Sequence, residues 1–166
     1  MAAHQERHVY QNGIQFSVRA LAESTGVSKS QVSLSLQRCQ DLGLTTIDRF
    51  SGLPRANVQA LGEFIVYGIR YVFPAKPGEI TRGIATGLAA PVLQGKMMTA
   101  GEFVPVWPDA RGDTKGQAVA PLFKSVPQVI ETDPHLYALL ALTDAIRIGQ
   151  ARERNYAADK LIALLQ

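Results

Sequence analysis

The chain has 166 residues, of which 46% are hydrophobic and 19% are charged, a composition that is typical of one or two folded globular domains and excludes a wholly disordered chain. The formal net charge of +3 permits contact with a polyanion but does not require it. Residues 1–60 hold six Lys/Arg against four Asp/Glu, a balance of +2, so most of the excess lies in the N-terminal part.

The residues that could bind a metal are few. Cys39 is the single cysteine, which excludes an intramolecular disulfide and a cysteine metal cluster. His4, His8 and His135 do not form a zinc-ligand pattern. His4 and His8 are four residues apart, a spacing that we interpret as the solvated end of a short helix over residues 3–11. We therefore expect no metal and no cofactor.

The N-terminal segment MAAHQERHVYQNG lacks the apolar core of a secretory signal. No apolar run approaches the roughly 18 residues that a membrane-spanning helix needs. The sequence therefore predicts a cytoplasmic protein without a membrane partner.

Two short helices are predicted after the first turn signals. Ser17 is a suitable N-cap for a helix from Val18 to Ser24, which Gly26 ends. Ser28 caps a second helix that runs to about Asp41 and ends at Gly43.

β-type residues follow these helices. Residues 44–50 predict a short strand and residues 51–54 a turn, an arrangement that indicates a short wing. A third helix is expected from Pro54, because apolar residues recur at helical spacing from Val58 to Ile69. It should end by Tyr71, since Phe73-Pro74 favours an extended backbone.

The middle of the chain, residues 74–127, holds most of the prolines and half of the glycines. We expect an ordered, loop-rich segment here, with a short regular piece at 84–93 and a strand-like piece at 102–107. Its glycines invite comparison with a phosphate-binding loop, but the spacing is wrong, and packing is favoured over a small-ligand pocket.

The C-terminal region is predicted to be helical again, with Asp133 as N-cap. Two apolar helices are predicted at 134–148 and 151–165, and they carry more apolar surface than one small domain needs, which favours dimerisation. The predicted fold is therefore mainly α with a small β component. A winged helix-turn-helix domain at 1–53 is followed by a loop-rich middle region and a C-terminal helical pair at 54–166, which would serve for dimerisation or partner binding.

The stretch ALAESTGVSKSQVSLSL at 20–36 has the spacing of a helix-turn-helix. Its inward positions are apolar or small, and Gly26 supplies the turn. The motif L-A-x-x-x-G-V-S-x-x-x-V-S at 21–33 resembles the helix-turn-helix of the lactose-repressor family, from which Thr25 and Ser35 depart. L-G-L-T-T-I at 42–47 resembles the winged helix-turn-helix of the multiple-antibiotic-resistance regulators. The remainder resembles small bacterial winged-helix proteins of uncharacterised role, some of them encoded beside nucleotidyltransferase-type toxin genes.

The resemblance implies contacts with double-stranded DNA. Gln31 and Gln37 would pair with adenine, and Lys29 with guanine or a phosphate. Other side chains would contact the backbone or the minor groove. The complete set of implied DNA-binding residues is Ser17, Arg19, Ser28, Lys29, Ser30, Gln31, Ser33, Leu34, Gln37, Arg38, Arg49 and Arg55.

The sequence thus favours a sequence-specific DNA-binding transcriptional regulator, a repressor or autoregulator acting as a homodimer and nucleoid-associated when bound to DNA. The alternative is a non-enzymatic interaction protein, an antitoxin or adaptor that docks on a protein partner such as a toxin-type neighbour. No enzyme is expected. Cys39 is interpreted as a core residue, and Asp133 with His135 as a capping arrangement.

Overall fold

The computed structural model describes residues 16–96 and 104–166. The chain folds into two compact units, the first ending at Leu61 and the second beginning at Gly62. The helix predicted over residues 3–11, with His4 and His8, lies outside the described residues. Within the described ranges, no helix is both long enough and apolar enough to cross a membrane.

The first unit consists of two helices followed by a two-stranded antiparallel hairpin, in which Thr46 is opposite Arg55. The helices form where the caps predict them. Ser17 accepts a hydrogen bond from the backbone N–H of Ala20 at 3.1 Å, and Ser28 accepts one from Gln31 at 3.4 Å. The elements are α1 (Val18–Thr25), α2 (Lys29–Asp41), β1 (Thr45–Ile47) and β2 (Pro54–Ala56).

The prediction for residues 44–57 is partly wrong. The first strand covers three residues instead of seven, because residues 49–53 form a turn in which two backbone N–H groups donate to the carboxylate of Asp48. Pro54 lies in the second strand and does not begin a helix. The next helix, α3 (Val58–Glu63), starts after Asn57, whose side-chain carbonyl accepts from the N–H of Ala60 at 3.3 Å.

The second unit begins with a helical segment that contains a π-helical turn (Phe64–Gly68) and ends as α4 (Ile69–Val72), one residue past the predicted stop. Three strands, a short 3₁₀ turn and three helices follow. They are β3 (Ile80–Ala85), the 3₁₀ turn (Gly87–Ala89), β4 (Pro105–Pro108), β5 (Thr114–Ala118), α5 (Val126–Val129), α6 (Pro134–Ile148) and α7 (Ala151–Leu165).

The three strands of the second unit form a closed sheet in which each strand pairs with the other two. β3 is antiparallel to β4 and to β5, and β4 is parallel to β5. Glycines permit this tight closure. A Cβ at Gly83 would overlap the carbonyl of Trp107, and one at Gly116 would overlap the carbonyl of Val104. Gly83 therefore serves packing rather than anion binding.

The apolar core of the second unit has two parts. One lies between the 64–72 segment, α6 and α7, and includes Ile69, Leu142, Ile146 and Leu161. The other surrounds Trp107, which is 1% exposed and stacks at a tilt on Tyr137 with ring centroids 5.7 Å apart. The apolar face of α6 is thus buried within the chain itself.

A buried polar network connects α6 to the closed sheet. Asp144 accepts hydrogen bonds from Thr86 at 2.9 Å, from the indole N–H of Trp107 at 2.6 Å and from Arg147 at 2.5 Å. Arg147 also donates to the carbonyls of Phe73 and Ala120. Burial raises the pKa of the Asp144 carboxyl, and the charge and hydrogen bonds of Arg147 oppose that rise.

The fold-class prediction is wrong. About half of the described residues are helical, and two small sheets make the protein a mixed α/β fold. The segment predicted to be loop-rich forms the closed sheet and α5. The hairpin of the first unit does not identify that unit as a winged helix. The prediction failed in the middle because its strands are short, carry proline or glycine, and are held by partners distant in sequence.

Candidate nucleic-acid interface

The turn between α1 and α2 holds the two helices in a close hairpin. Gly26 has a φ of 65°, which a side chain would strain, and it ends α1. The hydroxyl of Thr25 donates to the carbonyl of Leu21 at 2.5 Å and accepts from the N–H of Val27 at 3.4 Å. Thr25, which departs from the lactose-repressor pattern, therefore stabilises the turn through hydrogen bonds.

α2 has two distinct faces. Val32 is buried, and Leu36 and Cys39 on the same face are half-buried, so Cys39 is a packing residue. On the opposite face, Ser30, Ser33, Leu34 and Gln37 are exposed, and Leu34 retains 60% of its accessible surface. The outward face is polar apart from Leu34.

All of the sequence-predicted contact residues lie in the first unit, and each has an exposed side chain. They are distributed over the start of α1, the outward face and leading turn of α2, and the hairpin. The set is Ser17, Arg19, Ser28, Lys29, Ser30, Gln31, Ser33, Leu34, Gln37, Arg38, Arg49 and Arg55.

Two of the five cations in this set already have a carboxylate partner. Arg19 pairs with Glu23 at 2.9 Å, and Arg55 pairs with Asp48 at 3.4 Å. Both pairs are solvent-exposed on the arginine side, so each contributes little stability and can exchange for another anion. Within the part of the chain that the structure describes, Lys29, Arg38 and Arg49 make no ion pair.

The leading turn of α2 is partly occupied by its own capping bonds. The hydroxyl of Ser28, which caps the helix, also donates to the side-chain carbonyl of Gln31 at 3.2 Å. This bond occupies one of the two acceptor positions of the Gln31 side-chain carbonyl and restrains its amide. Gln37, farther along the helix, is the better candidate for that contact.

The hairpin turn is held by hydrogen bonds and presents an aromatic ring. The carboxylate of Asp48 accepts from the N–H of Phe50 at 3.2 Å, and from both the N–H and the hydroxyl of Ser51 at 2.8 Å. These bonds from Ser51, with a smaller contribution from Arg55, hold the pKa of Asp48 below its usual range. Phe50, between Arg49 and Ser51, is 99% exposed.

The strand predicted over residues 44–50 gives the wrong position for Phe50, because the observed strand ends at Ile47. The signal was present in the spacing of Asp48, Ser51 and Gly52. An aspartate that accepts backbone N–H groups two and three residues later, followed by a glycine with a φ of 67°, marks a tight turn. That turn places Phe50 at the tip.

Other side-chain clusters have structural roles. Asp133 accepts from the N–H of Leu136 at 2.9 Å, so it caps α6 beside the exposed His135. Asp144 is 1% exposed and its carboxylate is occupied by three donors, which leaves no room for a substrate. Over residues 16–96 and 104–166, no group of three or more histidine, cysteine or acidic side chains is placed to hold a metal ion.

The chain matches no protein-family model, no curated protein and no solved structure. The resemblance to helix-turn-helix regulators therefore stays a prediction that depends on the motif residues alone.

Proposed function

We propose that the first unit binds double-stranded DNA through α2, and that the chain is a sequence-specific transcriptional regulator, a repressor or autoregulator acting as a homodimer. The observation that carries the proposal is the leading part of α2. It follows a tight glycine turn, begins at a capped N-terminus, and exposes polar side chains from Ser28 to Gln37 interrupted by few apolar groups.

The outward face of α2 offers the groups that read base edges. The ammonium of Lys29 suits the acceptor atoms of guanine, and the amide of Gln37 can donate to and accept from adenine. Ser30 and Ser33 provide short hydroxyls that allow the helix to approach the groove floor. These contacts would decide which sequence is bound.

Contacts with phosphates would fix the position of the unit on the duplex. Arg38 and Arg49 are exposed and supply positive charge, and the N–H groups at the start of α1 add a further anion-binding point. Arg19 and Arg55 would exchange their exposed carboxylate partners for phosphate oxygens.

Phe50 adds an apolar contact to the hairpin tip. The ring is 99% exposed on a hydrogen-bonded turn, so its burial against a partner would contribute favourably to the free energy of binding. Apolar side chains of this kind insert between base steps in the minor groove, and Arg49 beside it would hold the adjacent phosphate.

Dimerisation is part of the proposal because one recognition helix supplies too few base contacts for useful specificity. α6 offers no spare apolar surface for a dimer contact over Ala141 to Arg147, since these residues are buried within the chain. Light scattering at micromolar concentration tests the dimer, and a monomer there would remove the two-half-site model.

The proposal is tested by fluorescence anisotropy with a labelled duplex from upstream of the protein's own coding sequence and a scrambled duplex of equal length. Lys29, Arg38 and Arg49 are the cations of this set without a carboxylate partner, and three such charges predict a slope of about −3 per protomer in log affinity against log salt concentration. Arg19 and Arg55 add little to the slope, because each exchanges one anionic partner for another. Lys29→Ala should lower the slope magnitude by about 1, whereas Gln37→Ala should weaken only the specific complex. Arg152→Ala, on α7, is the charge-matched control.

The proposal fails if the wild-type chain binds neither duplex at low salt. It also fails if the double variant Lys29→Ala with Gln37→Ala binds as tightly as the wild type.

The second candidate is a protein-docking module, an antitoxin or adaptor. The observation that favours it is the apolar content of the first unit's surface, where Leu34, Leu42 and Ile47 are 60%, 66% and 50% exposed. In that case Leu34→Ser and Ile47→Ser would abolish co-purification with the product of the neighbouring gene, while Lys29→Ala would leave it intact.

A further inference from the structure

A hollow in the second unit lies between the helical segment of residues 64–72 and α7. Its volume is about 230 Å³, and its aliphatic lining residues are Val66, Ile146 and Ala158, with Asn155 as an uncharged polar neighbour. Ile146 is 1% exposed and belongs to the main core of this unit, so this part of the lining is a close-packed, apolar surface.

The charged side chains of this hollow are both arginines. Arg70 reaches it from α4, and Arg154 reaches it from α7. Arg154 is held in place by a hydrogen bond to the carbonyl of Gly149 at 2.9 Å. No carboxylate lines the hollow, and neither arginine makes an ion pair within the described residues. The two guanidinium groups therefore leave a positive potential without a counter-charge.

Two tyrosines form the rim beside these cations. Tyr67, Arg70 and Tyr71 have i, i+3 and i+4 spacing and share one helix face. Tyr67 and Tyr71 are 74% and 75% exposed, and the guanidinium of Arg70 lies 5.3 Å from the centroid of the Tyr71 ring. Rings with this exposure have apolar faces available to a ligand.

The backbone beside the hollow is irregular as well. Residues Phe64–Gly68 form a π-helical turn, and the N–H of Ile69 donates to the carbonyl of Phe64. Such turns cost more than a regular helix and occur frequently at functional sites. The second unit thus combines a π-helical turn, unpaired cations and exposed rings at one place.

We propose that this hollow binds a small organic anion, whose acidic group pairs with Arg70 and Arg154 and whose flat apolar body lies against Tyr67 and Tyr71 above Ile146. Guanidinium groups recognise carboxylate and phosphate oxygens through paired N–H donors. The volume suits a ligand of one or two rings and is too small for a peptide or a nucleotide chain. The proposal concerns the second unit alone and does not depend on DNA binding.

The test compares two fluorescent probes that share one ring system. Naphthalene-1-sulfonate carries an anionic group on two fused rings, and 1-naphthalenemethanol carries the same rings without the charge. The wild-type chain should bind the sulfonate with a single-site isotherm and more tightly than the neutral probe. Arg70→Gln should lower affinity for the sulfonate about tenfold and leave affinity for the neutral probe unchanged, since only a charge-assisted bond is lost.

Two further variants complete the design. Tyr71→Ala should weaken both probes, because it removes ring contact. Arg152→Gln, an exposed charge change on α7 outside the hollow, should affect neither. The proposal is overturned if Arg70→Gln and Arg152→Gln have equal effects, if both probes bind equally well, or if the sulfonate does not bind.

Discussion

The two units of the molecule differ in how their side chains are distributed. Among the described residues of the first unit, Val32 alone is buried, whereas the second unit contains two apolar clusters and a buried ion pair. The first unit is held by caps, a glycine turn and a short hairpin, which are local interactions. The second is held by contacts between residues that are distant in sequence, such as Thr86 with Asp144.

This difference separates stability from recognition. The second unit buries the polar network of Asp144 and Arg147, so replacement of these residues should change the free energy of unfolding strongly. The first unit leaves most of its polar groups at the surface, so their replacement should change binding more than stability. The following variants test that division, in order of decreasing effect.

Asp144→Ala should have the largest effect on stability. It leaves the guanidinium of Arg147 buried without its counter-charge and removes the acceptor of Trp107, at a cost of about 3–5 kcal/mol. Urea unfolding followed by the fluorescence of Trp107, the single tryptophan, measures this loss. Asp159→Ala, an exposed acid on α7, is the control. Equal stability of the two variants would mean that the network is dispensable.

Gly83→Ala should destabilise the closed sheet by up to about 3 kcal/mol, because the added Cβ overlaps the carbonyl of Trp107. Gly78→Ala is the matched control, since its Cβ would lie 3.3 Å from that of Ala118 and needs only a small adjustment. The same unfolding transition is measured for both. A Gly83→Ala chain as stable as the control would contradict the close packing of β3 and β4.

Val32→Ala and Leu34→Ala compare the two faces of α2. Val32 is 7% exposed, so its truncation should cost about 2 kcal/mol, measured by amide hydrogen exchange in α1 and α2. Leu34 is 60% exposed, so its truncation should leave exchange unchanged while altering the affinity for duplex DNA. Faster exchange in Leu34→Ala than in Val32→Ala would reverse the assignment of the faces.

The smallest effect concerns the hairpin turn and pH. The pKa of Asp48 is lower in the folded chain than in an unfolded one, so the ionised form stabilises the turn at neutral pH. That contribution should be lost as the pH falls below about 4, through the folded pKa. The amide resonances of Phe50 and Ser51 should then shift, and Asp48→Asn should remove the shift. A turn with pH-independent resonances would contradict the hydrogen bonds to Asp48.

The sequence allowed the local parts of the fold to be predicted. Ser17, Ser28 and Asp133 each cap a helix at the expected position, because a cap acts within three residues. The sequence indicated a strand-like piece at 102–107, which overlaps β4, but it did not allow prediction of β5, which is polar. The pairing of β5 with β3 joins residues tens of positions apart, and β5 shows no alternating pattern.

For the candidate interface, too, only the features that depend on neighbouring residues could be predicted. Exposure of the α2 residues follows from helical periodicity and was foreseeable. Two other features depend on how the turn folds: the ion pair between Arg55 and Asp48 and the position of Phe50. The prediction of a strand over residues 44–50 gave neither of them. The hollow beside Arg70 and Arg154 is lined by two helical segments that are distant in sequence, so no local sequence pattern reveals it.

The most direct test of the DNA-binding proposal is a nuclear magnetic resonance titration of the ¹⁵N-labelled full chain with the upstream duplex at low salt. We expect the largest amide shifts between Ser28 and Arg38, smaller shifts between Arg49 and Arg55, and loss of both in Lys29→Ala with Gln37→Ala. Shifts confined to the second unit, or no shifts at all, would contradict the assignment of recognition to the first unit.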